Sequence, residues 1–242
     1  MATIGIVGMG KMGQAILAIM DTRPHLRGIA FQRLSAASED QLAACQVVIE
    51  FTTADAAPGV IRHCLERRIP VVSGTTGWHE YHLESILSYA RQQHSKLLYA
   101  TNFSIGMNIV FGLNRKLAEV MRDLPQYKPS VREVHHIHKK DSPSGTAYTL
   151  LGDIMKQHPG YSGFALNPEK EMVAADQIPV VAVREGEVKG LHQVYWTSGA
   201  EQIMIAHEAY DRSIFAEGAI LAAVWLTQQP NGIYTMKDVL GL

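Results

Sequence analysis

The stretch Thr3 to Gly13, TIGIVGMGKMG, constrains this chain more than any other. A β-branched run breaks into glycines at G-x-G-x-x-G spacing, Gly8, Gly10 and Gly13. It then passes at once into a helical pattern with Ile16, Ile19 and Met20 on one face. Strand, tight turn and helix in direct succession open a βαβ unit. In such a unit the first glycine permits the turn, the second lets backbone approach a pyrophosphate, and the third lets helix and strand pack closely. The helix N-terminus adds N–H donors and the positive end of its dipole. The loop from Gly8 through Met9, Gly10, Lys11 and Met12 to Gly13 is therefore the candidate dinucleotide site.

Further apolar runs at Gly28 to Phe31, Val47 to Phe51, Pro70 to Val72 and Lys96 to Ala100 alternate with helical segments, which predicts a parallel, Rossmann-type α/β sheet. Ile61, Cys64 and Leu65 share a helical face, as do Leu83, Ile86, Leu87 and Ala90, so helices are expected over the sheet. The second strand should end in a carboxylate if it is to hold an adenosine ribose 2′-hydroxyl. It offers Gln32 and Arg33 instead. No carboxylate there repels a 2′-phosphate, which favours NADPH, or use of both NADPH and NADH. Arg33 as a plain solvated charge stays open as the alternative. Two more backbone-rich loops follow the fourth and fifth strands, at Gly74, Thr75 and Thr76 and at Ala100, Thr101, Asn102 and Phe103. Either can line a nicotinamide or simply cap a helix.

From about Ser130 the pattern changes. Strand-like runs at Val131 to Ile137, Pro179 to Arg184, Val188 to Thr197 and Gln202 to Glu208 outnumber helices, and EGEVKG and TSGAE read as hairpin turns. A second, α+β unit with a mostly antiparallel or mixed sheet is expected, beginning near Asn102 to Gly106. The apolar helix Ile214 to Leu226, with Ile214, Phe215, Gly218, Leu221, Ala222 and Trp225 at helical spacing, is expected to return to the first unit. His158 to Asp176 lacks periodicity and reads as a surface connection or a lid.

Composition excludes several function classes. A formal net charge of −1 gives no general reason to bind nucleic acid. No apolar run approaches the ~20 residues of a membrane span, and no leader pattern opens the chain, so a cytoplasmic protein is expected. Cys45 and Cys64 read as buried, reduced thiols.

Against that background, EVHHIHKKDSPSGT (Glu133 to Thr146) gathers three histidines and two lysines into six positions. On a strand, His135 faces one side and His136 and His138 the other, so the imidazoles do not converge and no metal site is expected. Ser144 stands where an N-cap belongs before a helical face of Ala147, Leu150, Leu151, Ile154 and Met155. Gly145 and Thr146 would then present backbone N–H groups, and Thr146 its hydroxyl, to an anion beside Lys139. A carboxylate-bearing ligand fits this chemistry.

The block EVHHIHKKDSPSGTA, with GMGKMG, IEFTTADAA, SGTTG, NFSIGMN, REGEVKGLHQV, EQIMIAHEAYDRSIFAEGA and AAVWL in that order, resembles the dihydrodipicolinate reductases of bacterial lysine and diaminopimelate biosynthesis. The resemblance spans nearly the whole chain. It implies NAD(P)H-dependent reduction of a cyclic unsaturated dicarboxylate to tetrahydrodipicolinate. His135 and Lys139 become the catalytic acid residues, while His136, Ser144, Gly145 and Thr146 hold substrate carboxylates. Cofactor contacts fall on Gly8 to Gly13, Gln32, Arg33, Gly74 to Thr76 and Ala100 to Phe103. Of the two acid candidates His135 is preferred for proton transfer, because a lysine beside two carboxylates also serves as an electrostatic anchor. Asp141, Arg184, His192, Glu201, His207 and Arg212 also match and are read mostly as structural supports.

The resemblance further implies a homotetramer. It divides the chain into a dinucleotide-binding domain, 1–104 with 214–242, and a substrate-binding and oligomerisation domain, 105–213. Other readings are a different amino-acid-pathway dehydrogenase, such as one for aspartate or homoserine, and a nicotinamide sensor without turnover. The first leaves the H-H-x-x-K block unexplained, and the second lacks an output surface such as a helix-turn-helix.

Overall fold

Alternating strands and helices organise the first hundred residues of the computed structural model, which describes residues 2–169 and 173–242. In order these are β1 (Ala2–Val7), α1 (Lys11–Asp21), β2 (Leu26–Phe31), α2 (Glu39–Ala43), β3 (Val47–Glu50), α3 (Ala57–Glu66), β4 (Val71–Ser73), α4 (His79–Gln92) and β5 (Lys96–Tyr99). Then follow α5 (Ile105–Met121), β6 (Lys128–His135), α6 (Gly145–Gln157), β7 (Gly163–Leu166), β8 (Gln177–Arg184), β9 (Leu191–Thr197) and β10 (Gln202–Glu208). The chain ends with α7 (Ser213–Thr227), β11 (Gly232–Tyr234) and α8 (Met236–Leu240).

These elements form two compact units, Met1–Ile105 with Ser213–Leu242, and Gly106–Arg212. The first is built on a six-stranded sheet in the order β11-β5-β4-β3-β1-β2, with every pairing parallel. Side chains alternate across its strands and so feed two cores. Ile4, Ile6, Val47, Ile49, Val72 and Leu98 pack with Ile16 and Met20 of α1 and with α7. Val7, Val48, Val71 and Leu97 pack with Ile61, Cys64 and Leu65 of α3 and Ile86 and Ala90 of α4. Burying each such aliphatic side chain contributes roughly 1.5–3 kcal/mol. Chain order reverses between β1 and β3, so the crevice at their carboxyl ends is a topological switch point, where open α/β sheets bind ligands.

Helix α7 does join the first unit: of the residues expected to face it, Gly218 and Ala222 are buried and Trp225 packs against the core, whereas Leu221 does not. Ala216, Ala219, Ile220, Ala223 and Leu226 are buried, whereas Leu221 is 40% exposed. Close approach explains the preference for small residues. A Cβ on Gly218 would stand 1.7 Å from the Phe103 carbonyl oxygen. The strand β11 and helix α8 after it carried no clear pattern in the sequence.

The second unit has a five-stranded mixed sheet, β10-β9-β6-β8-β7, in which β9 pairs antiparallel with β10 and β6, while β8 pairs parallel with β6 and β7. TSGAE is a hairpin turn, closed by the Ser198 N–H donating to the Glu201 carbonyl at 2.9 Å. EGEVKG is not one. The strands it joins, β8 and β9, lie on opposite sides of β6 and never pair with each other. Local turn residues gave the wrong answer because a strand from some fifty residues upstream intervenes. One face of the sheet packs Val131, Ile178, Val180, Val194 and Trp196 against Met107, Phe111 and Ala118 of α5 and Leu150, Leu151 and Ile154 of α6. The opposite face leaves Val181 44% and Met204 52% exposed. Within His158 to Asp176, residues 163–166 form the edge strand β7 beside β8, and residues 170–172 lie outside the described residues.

Candidate functional site

Each unit carries a candidate site of its own. In the first, a cleft of about 610 Å³ opens at the switch point, lined by Gly8, Met9, Gly10, Gln32, Arg33 and Leu34 on one side and Phe51 to Thr53, Ala56, Gly59, Val60 and His63 on the other. The glycines have separate steric duties. Gly8 has φ +94°, and a Cβ there would lie 2.2 Å from the Phe51 carbonyl oxygen. A Cβ on Gly13 would lie 2.1 Å from that of Gly8, while at Gly10 nothing stands within 4 Å. Open space over Gly10, at the N-terminus of α1 where no side chain caps the helix, is the cradle a pyrophosphate needs. The residues present fit a dinucleotide.

No carboxylate is among the lining residues, and Gln32 and Arg33, just past the end of β2, are exposed at the cleft. Lys11 and Met12 begin α1 beside the cleft, and Gly13 packs beneath it.

The two other predicted cofactor loops do not line this cleft. Gly74, Thr75 and Thr76 follow β4, and Ala100, Thr101, Asn102 and Phe103 follow β5, further along the same sheet edge. Thr75 is tied into the fold. Its hydroxyl donates to the fully buried Glu50 at 2.5 Å and accepts the Thr52 N–H at 2.8 Å. Glu50 also accepts from the Thr52 N–H and the Ser73 hydroxyl, both at 2.7 Å, so this uncharged set of donors stitches the ends of β3 and β4 together. Gly74 lies against the Phe51 ring, and Phe103 meets that ring edge-on at 5.9 Å.

In the second unit, β6 ends at His135, two residues short of the predicted end. Glu133 and His135 therefore face inward, while Ile137 is 60% exposed in the following turn. Ser144 is the N-cap of α6, as its position suggested: its hydroxyl accepts the Ala147 N–H at 3.2 Å. Gly145 and Thr146 form the exposed and half-buried first turn of that helix. The Lys139 ammonium sits between both oxygens of Asp141, 2.8 Å from each. His136 tilts against His138, ring centroids 6.1 Å apart, and does not join the His135 cluster.

Three further residues surround His135: Arg184 and His192, expected as supports, and Glu133, which had no assigned role. Glu133, fully buried, accepts the Ser144 N–H on both oxygens at 3.1 Å and the Arg184 guanidinium on Oε1 at 3.1 Å. Its Oε2 stands 3.7 Å from His135 Nδ1 and 3.8 Å from His192 Nε2. The His135 and His192 rings meet edge to face at 4.9 Å, and His192 Nε2 lies 3.2 Å from the Ser144 hydroxyl. Arg184 also donates to the carbonyls of Lys139, at 3.3 Å, and Asp141, at 2.5 Å, bracing the loop that carries the lysine. Only pairing with distant strands assembles this cluster, and the one local clue was the two-residue spacing of Glu133 and His135.

Ligand-type atoms of Glu133, His135 and His192 lie within 4.8 Å of one another. The carboxylate, however, already serves a guanidinium and a backbone N–H, so the geometry favours a hydrogen-bonded cluster over a metal centre. Burial drives both histidines towards the neutral form. His135 is held down to about 4, with Glu133 opposing and Lys139 and Arg184 reinforcing, and His192 to about 3, with His135 reinforcing.

Two family models divide the chain between them: dihydrodipicolinate reductase N-terminus over residues 2–103 and C-terminus over residues 106–240. The chain belongs to the dihydrodipicolinate reductase family. A 4-hydroxy-tetrahydrodipicolinate reductase of Christiangramia forsetii is 40% identical over 239 residues, covering 98% of this chain and 97% of the relative. One of Alkaliphilus metalliredigens is 35% identical over 240 residues, covering 96% of each. Among solved structures, a dipicolinate-bound dihydrodipicolinate reductase from Paenisporosarcina sp. TG-14 matches with a TM-score of 0.77 at 21% identity over 97% of both chains, a likeness of fold. Like others in the dihydrodipicolinate reductase family, the chain is an NAD(P)H-dependent oxidoreductase.

Proposed function

We propose that this chain reduces dihydrodipicolinate, formed from 4-hydroxy-tetrahydrodipicolinate, to tetrahydrodipicolinate in lysine and diaminopimelate biosynthesis, with His135 as its proton donor. The observation that carries the residue assignment is the buried Glu133–His135–His192 cluster directly beside a helix N-terminus capped by Ser144. Residues 1–104 with 214–242 bind the cofactor, and 105–213 bind the substrate. Gly8, Gly10 and Gly13 with the start of α1 hold the pyrophosphate, Gln32 and Arg33 meet the adenosine ribose, and the loops at Gly74 to Thr76 and Ala100 to Phe103 complete the site. When bound, the reduced nicotinamide supplies a hydride.

The chain's own residues do the rest. The first-turn N–H groups of Gly145 and Thr146, with Ser144, His136 and the Lys139 ammonium, hold the two substrate carboxylates. Addition of hydride to a ring carbon conjugated with the imine leaves an enamine-type anion. His135 transfers its N–H proton to that anion, forming a C–H bond and leaving neutral imidazole. Lys139 acts chiefly as an anchor, since its Nζ already seats a carboxylate, that of Asp141. The exposed sheet face that includes Val181 and Met204 is the self-association surface of a homotetramer. No helix among the described residues is long and apolar enough to cross a membrane, and buried Cys45 and Cys64, their thiols pushed up to about 11 and about 12, suit a reducing cytoplasm.

The test is loss of reduced-nicotinamide absorbance with enzymatically generated dihydrodipicolinate, NADPH and NADH in parallel, for wild type and His135→Ala. Turnover that collapses in the variant is expected. Absence of turnover with either cofactor would refute the function, and full activity in His135→Ala would refute the role.

A further inference from the structure

A proton donor that burial keeps neutral needs a means of charging, and the surroundings of His135 suggest one. Five groups face it: Glu133 on its own strand, Arg184 at the end of β8, His192 on β9, and Lys139 and Asp141 from the following loop. The two carboxylates and two cations among them cancel, leaving nothing to offset burial of an imidazolium. A dicarboxylate substrate adds two negative charges beside this neutral set, and an added proton then becomes favourable.

The hydrogen bonding shows where the proton goes. His192 Nε2 is engaged with the Ser144 hydroxyl, and Glu133 Oε1 is engaged with Arg184. His135 Nδ1 is buried without a hydrogen-bond partner, 3.7 Å from Glu133 Oε2. A small rotation of the imidazole closes that gap. The other nitrogen, Nε2, lies toward Gly190, where no side chain stands over it: a Cβ there would approach to 3.4 Å.

We propose that Glu133 is a positioning residue that lets His135 take up one solvent proton as the dicarboxylate binds, receiving Nδ1–H so that Nε2–H is ready for transfer. This rests on the function proposed above. The proton comes from buffer, forms an N–H bond on imidazole, and is later passed to the substrate carbon, returning the ring to neutral. No electrons move in this step.

The experiment is calorimetric titration of the NADPH-saturated full chain with pyridine-2,6-dicarboxylate near pH 7.5, in two buffers of different ionisation enthalpy. Wild type should take up about one proton per site. His135→Gln should take up none. Glu133→Gln, which preserves shape and removes charge, should bind with uptake reduced by more than half and should shift the alkaline limb of the kcat profile, where the protonated donor is lost, to lower pH. Wild-type binding without proton uptake would overturn this inference and leave the functional reading standing. Undiminished uptake in Glu133→Gln would overturn the part given to Glu133. If the dicarboxylate fails to bind at all, both the functional reading and this inference fall. A melting curve on Glu133→Gln guards against loss of fold, and the wild-type and His135→Gln titrations decide proton uptake without it.

Discussion

Replacing Gly13 and Gly10 one at a time by alanine should separate the structural from the binding duty of the glycine loop. At Gly13 the added Cβ would sit 2.1 Å from the Gly8 carbonyl oxygen, a backbone atom with no freedom to rotate away. Ordinary contact begins near 3.4 Å, so α1 or the loop must move by about 1.3 Å (3.4 − 2.1). Overpacking of this kind costs typically 1–3 kcal/mol, against a helix-propensity gain of about 1 kcal/mol for alanine over glycine. A net loss of about 1 kcal/mol is expected, which for a chain of this size lowers Tm by about 2–4 °C.

Gly10→Ala meets no protein atom within 4 Å, so Tm should stay within about 2 °C of wild type. The new methyl occupies the space assigned to the pyrophosphate, and dinucleotide affinity should fall at least tenfold, about 1.4 kcal/mol. Differential scanning fluorimetry and quenching of nucleotide fluorescence measure the two effects. A Gly13→Ala protein as stable as wild type, or a Gly10→Ala protein with unchanged affinity, would refute the steric reasoning.

Other expectations follow from the same geometry. Arg33→Ala should raise KM for NADPH about tenfold and barely change that for NADH, as loss of one charge-assisted phosphate contact requires; equal effects would show that Arg33 is only a surface charge. Ser144→Ala removes the cap of α6, worth about 1 kcal/mol, and takes the hydroxyl from His192, so both urea midpoint and dicarboxylate affinity should drop. Below pH 7 the ligand-free protein should lose stability steadily. His135 and His192 titrate near 4 and 3 when folded but near 6.5 when unfolded, so the unfolded chain binds protons first. The stability they confer is complete above about pH 6.5 and is lost as pH falls toward the folded values, by up to about 1.4 kcal/mol per pH unit each. His192→Asn should flatten this acid limb in pH-dependent urea melts.

Local periodicity was enough to read most of the first unit, because each parallel strand announces itself by a short apolar run and each covering helix by one apolar face. It failed where tertiary contact outweighs local preference. Helix α7 is apolar on nearly every side, so spacing alone did not separate Leu221, which is exposed, from Ile220, which is buried, and the tight contact at Gly218 was invisible without Phe103. Strand β11 is only three residues long and needs β5 beside it to exist as a strand. In the candidate site the contiguous block Glu133 to Thr146 was legible, including Ser144 as a cap. Arg184 and His192 entered only as supports implied by the resemblance, since they reach Glu133 through strand pairing: Glu133 opposes Ala182 in β8 and His192 itself in β9.

The return of α7 to the first unit bears on how the molecule is made. Residues 213–227 supply Ala216, Ala219, Ile220, Ala222, Ala223 and Leu226 to the core that backs β1 and α1, and Glu217 pairs with Arg23 at the end of α1. The glycine loop leaves the ribosome nearly 200 residues ahead of the wall behind its helix. At about 5–20 residues per second that is a delay of roughly 10–40 s. By then every strand of the second unit has been synthesised. The nascent first unit thus waits, with one apolar side of its sheet covered by α1 alone, while the second can already fold, and nucleotide binding matures only once α7 has been made.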